Sequence, residues 1–88
     1  MNTATTRVAD LKAGDIVAAH GGLFRVTEDA KESRAHFDDF GAKVPKAGPS
    51  DTAWAPSVCI EGKCGAYFYP GSSWTFQGRT WVTVSRVI

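Results

Sequence analysis

Alternation of apolar and polar positions with a period of two is clearest between Ile16 and Glu28. Ile16 to His20 reads as a strand, Gly21-Gly22 as a two-residue hairpin loop, and Leu23 to Glu28 as the returning strand. On that second strand Phe24 and Val26 share one face, while Leu23, Arg25 and Thr27 share the other. The core is expected on the Phe24/Val26 side. Upstream, Arg7 to Asp15 reads as a short apolar anchor closed by a turn at Ala13-Gly14-Asp15. The first six residues carry no such pattern and are expected to be loose.

From Asp29 to Pro56 the alternation fades. Asp29 and Glu32 have the spacing of a capping box, so residues 29–34 fit either one helical turn or a charged turn. Phe37 and Phe40 flank Asp38-Asp39 three positions apart, on one side of a turn. Pro45, Pro49 and Pro56, with Gly41 and Gly48, mark a long loop over about 41–56. Loops of that length are uncommon in small domains and are either functional or disordered. Trp54 argues against disorder, since an indole needs a surface to cover.

Two further hairpins complete the pattern. Ser57–Ile60 and Lys63–Tyr69 fold around Glu61-Gly62, which sets Cys59 opposite Cys64. Pro70 to Ser73 is a turn by composition. Trp74–Phe76 and Arg79–Ile88 then fold around Gln77-Gly78, placing Trp74 opposite Trp81 as a cross-strand aromatic pair.

Composition sharpens the fold class. The 88 residues suffice for one domain. Leucine occurs twice and methionine once, whereas Val, Ile and Thr supply 19 residues. A chain poor in helical core formers and rich in β-branched residues reads as all-β, a single small antiparallel barrel or meander of five or six strands. At most one short helix is expected, near residues 29–40. Ten basic against nine acidic side chains give a net charge of +1, which argues against a purely electrostatic nucleic-acid binder. No apolar run approaches the ~20 residues that span a bilayer, and no leader pattern opens the chain. A soluble intracellular protein is the expectation.

The same absence of a leader favours two free thiols, packed as small apolar residues, over a Cys59–Cys64 disulfide. A zinc site would need His20 and His36 to join them, at no recognised spacing, so no metal or cofactor is expected. Neither cysteine sits in a nucleophile signature, and no phosphate loop, dinucleotide fingerprint or G-x-S-x-G elbow occurs. The chain is read as non-enzymatic. Two features suit an interaction module instead. Glu28, Asp29, Glu32, Asp38 and Asp39 form an acidic stretch able to meet a basic partner surface. Trp54, Tyr67, Phe68, Tyr69, Trp74, Phe76 and Trp81 crowd the last 35 residues. These rings either fill a leucine-poor core or leave a patch, with Trp54, Tyr67, Tyr69 and Trp74 as its members. The competing reading is a single-strand nucleic-acid binder, stacking bases on Tyr67, Tyr69 and Trp74 with Arg25, Lys63 and Arg79 on phosphates.

The segment Val8-x-x-Leu11-Lys12-x-Gly14-Asp15-x-Val17-x-x-His20-Gly21-Gly22-x-Phe24-Arg25-Val26, with the later Trp74-Thr75-Phe76-Gln77-Gly78, resembles a group of short proteins of tailed phages and prophages. Its opening part also resembles the first hairpin of SH3-like barrels. The first resemblance implies a phage accessory protein in the bacterial cytoplasm that binds a host or phage protein, for instance as an inhibitor of a host defence machine. It carries no assigned activity, so no functional residue transfers. The second implies an SH3-like barrel as the form of the fold.

Overall fold

A computed structural model describes residues 2–33, 36–37, 43–44, 52–65 and 68–88, with backbone alone at residues 33, 36–37 and 43–44. Its described residues build nine strands and one three-residue 3-10 turn, Val8–Asp10. The strands are β1 (Thr3–Arg7), β2 (Ile16–Ala19), β3 (Gly22–Val26), β4 (Lys31–Ser33), β5 (His36–Phe37), β6 (Lys43–Val44), β7 (Thr52–Gly62), β8 (Ser73–Arg79) and β9 (Thr83–Val87). β5 and β6 pair with each other. The other seven form one antiparallel sheet in the order β1-β9-β2-β3-β7-β4, with β8 on the second edge of β7. The sheet curls into a half-barrel. The chain is all-β, and among the described residues no helix is long and apolar enough to cross a membrane.

The β2–β3 hairpin forms with its expected core face: Val17, Phe24 and Val26 are fully buried. Its loop lies one residue earlier than Gly21-Gly22. Ala19 pairs with Gly22, and His20 (φ 49°) and Gly21 (φ 79°) take the left-handed conformations of a type I′ turn. Gly22 is needed in the strand because a Cβ there would lie 2.6 Å from Cys64 Sγ and 2.7 Å from Cys64 N. Tertiary crowding thus moves the glycine out of the turn and a histidine into it.

The loop expected over 41–56 is corrected at its described end, where residues 52–56 open the eleven-residue strand β7. Its inward side chains, Ala53, Ala55, Ser57 and Cys59, are small, and the larger Trp54, Pro56, Val58 and Ile60 face outward. Small residues on the central strand leave room for Phe24, Leu11 and Phe76 to meet beneath it. Pro56 breaks no ladder: β3 pairs with residues 57–62 and β4 with 52–54 on the same edge of β7, and Pro56 sits in the gap. Its carbonyl accepts the Thr27 N–H at 2.8 Å. Buried Ser57 is satisfied, its hydroxyl donating to the Trp74 carbonyl at 3.1 Å.

Three other expectations change. The N-terminal residues, expected loose, form β1, which pairs with β9 from Thr3↔Val87 to Arg7↔Thr83. The helical turn considered at 29–34 is absent from its described part, where residues 31–33 are strand β4 and Asp29 accepts the Ala13 N–H at 2.9 Å instead of capping a helix. The Gln77-Gly78 hairpin does not form either. β8 runs through both residues, the chain turns at 80–82 with Val82 N–H donating to the Arg79 carbonyl, and β9 crosses to β1 and β2. Trp74 therefore opposes Ser57, not Trp81. The apolar anchor holds as read, with Val8 and Leu11 buried ahead of the turn at Ala13-Gly14.

Arg7 donates to both Asp10 oxygens, at 2.9 and 3.2 Å, on the surface. That hydrogen bond holds the Asp10 carboxyl below its usual range and raises Arg7 above its own. A depressed carboxylate stabilises above its unfolded pKa and loses that contribution as pH falls through the folded value. Because both groups are exposed, Asp10→Asn is expected to leave the neutral-pH denaturation midpoint within error. Urea unfolding at neutral and acidic pH checks this.

Candidate binding groove

The half-barrel leaves a seam between β8 and the start of β9. A groove of about 450 Å³ runs there, lined by residues 74–77 of β8, by Val82 and Val84, by Val8, and by Ala19 and His20 at the end of β2. Its wall is aromatic. Trp74 gathers His20 at 4.3 Å between ring centroids, Phe68 and Phe76 at 5.0 Å and Phe24 at 5.3 Å. The His20 and Trp74 rings meet edge to face, the arrangement aromatic rings favour over a face-to-face sandwich. Val82 is partly exposed, Trp81 just before it is 62% exposed, and the Arg79 guanidinium lies 5.8 Å from the Trp81 ring centroid.

The wall is braced by a disulfide. Cys59 and Cys64 are bridged, with their Cα atoms 6.0 Å apart and both residues fully buried. This corrects the expectation of two free thiols, and the geometry behind it is new. The described residues of the expected returning strand, 63–65 and 68–69, are not strand. β7 continues to Gly62 against β3, and the chain then doubles back through Cys64 (φ 52°) and Gly65 (φ 85°). A bulge at Ile60 keeps Cys59 on the core face while Gly62 reaches Gly22. The bridged corner backs the His20 turn, since a Cβ on Gly65 would stand 2.8 Å from that of His20. The bridge also consumes the thiolate that a Cys–His nucleophile pair requires.

Closing so short a loop puts the bridge at the low end of disulfide effects, about 2 kcal/mol. Paired denaturation curves with and without reductant should differ by that amount. Identical curves would mean that the two sulfurs are not bridged in solution.

The expected site residues are scattered around this groove. Trp74 lines it. Tyr69 is 76% exposed and belongs to a separate hollow with Lys63, Phe68 and Pro70. Trp54 is half-buried on the outward face of β7, opposite Gln77 and Lys31. Glu28, Asp29 and Glu32 are exposed on and beside the β3–β4 connection, away from the groove lining. Asp38, Asp39 and Tyr67 lie outside the described residues. No group of three or more His, Cys, Asp or Glu residues converges on a metal site among the described residues. Missed from the sequence were His20 and the Trp81-Val82 pair. A histidine beside two glycines in a hairpin loop is a signal for the first. Nothing local marked the second, because Trp81 reads equally well as a strand residue. The chain matches no protein-family model, no curated protein and no solved structure with which it was compared.

Proposed function

We propose that this chain is a non-enzymatic protein-interaction module that receives part of a partner in the seam between β8 and β9. The observation that carries this is the open seam itself: Trp74, Phe76, Val82 and Val84 line it, and the exposed Trp81 directly precedes Val82 in the chain. Aromatic residues are enriched at protein interfaces, and indoles recur among the side chains that dominate binding energy. Glu28, Asp29 and Glu32 are exposed on a separate surface, away from the groove lining, and are left out of the proposed contact.

Single-strand nucleic-acid binding has less support. Trp74 is enclosed by four neighbouring rings, which leaves little of its face for a base, and Tyr69 stands in a different hollow. On the resemblance to tailed-phage proteins, the partner would be a host or phage protein, a host defence component among them, met in the bacterial cytoplasm. Buried disulfides are rare in reducing compartments, so that location stands only if the bridge is dispensable, which the reductant experiment measures.

The test is site-specific photocrosslinking. A benzophenone amino acid replaces Trp81 in one variant and Glu28 in another, and each is irradiated in bacterial lysate. Discrete protein adducts from position 81 that survive nuclease treatment and are absent at position 28 are expected. Adducts abolished by nuclease would shift the assignment to nucleic acid. Equal adducts from both positions would remove the seam as the site.

A further inference from the structure

Side chains of consecutive strand residues point to opposite faces, so a groove that follows one face of a strand touches every second residue. The seam groove touches four in succession, Trp74, Thr75, Phe76 and Gln77. It therefore runs along the edge of β8. β7 occupies one edge of β8 through seven paired residues, and among the described residues no strand occupies the other. Alternate residues of this stretch aim their backbone N–H and C=O groups at that edge, and no described backbone group pairs with them there. Four strand residues span about 13 Å, enough for a pairing segment of four or five residues.

Charge narrows the occupant. β1, β8 and β9 carry Arg7, Arg79 and Arg86 and no carboxylate. Arg7 and Asp10 compensate each other, so the excess positive charge is that of Arg86 on β9. Arg86 lies two residues beyond Val84 on the same side of β9, opposite buried Val17, and its Nε donates to Thr6 Oγ1 at 3.3 Å. The walls across the groove, Val8, Val82 and Val84, are apolar. Resting on the interaction reading above, we propose that the edge of β8 captures an extended, acidic segment of a partner protein, apolar at alternate positions, as an added strand of the sheet. Main-chain hydrogen bonds would supply affinity, and the seam would select side chains on one face of the segment. The barrel would then be closed by the partner.

Random dodecapeptides displayed on ribosomes are selected against the folded, oxidised protein, and recovered peptides are resynthesised. Recovered sequences should alternate apolar residues and contain Asp or Glu. Their binding should slow hydrogen exchange at β8 amides. N-methylation of alternate peptide nitrogens, which keeps every side chain but removes ladder donors, should weaken binding at least about tenfold in the register that pairs. Exchanging peptide Asp for Asn should weaken it about three- to tenfold. Peptides that tolerate N-methylation at every position, or leave β8 unprotected, overturn strand addition while the interaction module stands. Peptides indifferent to the loss of Asp overturn the acidic preference. A selection without binders overturns the module and the added strand together.

Discussion

Replacing Phe24 with alanine is expected to destabilise the fold by about 3–5 kcal/mol, the range for deleting a buried aromatic side chain. Phe24 is fully buried and lies within 5.4 Å of the Trp74 and Phe76 ring centroids, with Phe68 at 6.5 Å and His20 at 6.4 Å. On the β7 side the inward side chains Ala53, Ala55 and Cys59 are too small to extend into the space. A domain of this size has about 4–13 kcal/mol of stability to lose, so much of it would go with one ring. Urea denaturation monitored by tryptophan fluorescence gives the number. A loss below about 1 kcal/mol would mean that the aromatic wall is not the core of this sheet.

Gly22→Ala should be nearly as severe through the opposite cause. The added methyl would press on the Glu61 carbonyl, on Cys64 Sγ and on Cys64 N. Two of these are backbone atoms, and the third belongs to a bridge, so none can swing aside. Overpacking of this kind usually costs about 1–3 kcal/mol and more where the backbone must move, and about 3 kcal/mol is expected here. The variant should also expose its thiols. Faster alkylation under mild reductant, relative to the wild type, would show the corner at 62–65 loosened. Wild-type stability together with unchanged alkylation would refute the close approach.

Gly22 also explains where sequence reasoning succeeded and where it slipped. The β2–β3 hairpin was legible because Phe24 and Val26 alternate with polar residues, and moving the loop by one residue leaves both on the same face. The loop itself was not legible, because the atoms that demand glycine at 22 come from residues 61 and 64. β7 was hidden for another reason. Its inward residues are the small ones and its bulk faces outward, so the usual cue of large apolar residues on the core face is inverted. Pro56 then reads as the end of a loop, although it sits in a gap between partner strands. In Gln77-Gly78 a real turn signal was overruled: a Cβ on Gly78 would stand 3.0 Å from that of Val82, so this glycine serves a close approach. Of the groove, Trp74 was legible from the aromatic crowding alone. The rest depended on β9 leaving β8, a decision made by β1 and β2 at the far end of the chain.

The pairing of β1 with β9 sets the order of events during synthesis. The β2–β3 hairpin closes over two residues and can form at once, but β1 must wait for a strand that begins at Thr83. Until then the near edge of β2 also lacks its partner, because Val17 and Ala18 pair with Arg86 and Ser85. Sheets dominated by such distant pairings fold in about milliseconds to seconds, against microseconds to milliseconds for helical bundles of similar size. A chain halted on the ribosome before residue 83 would therefore carry two open strand edges, the condition under which nascent β proteins aggregate.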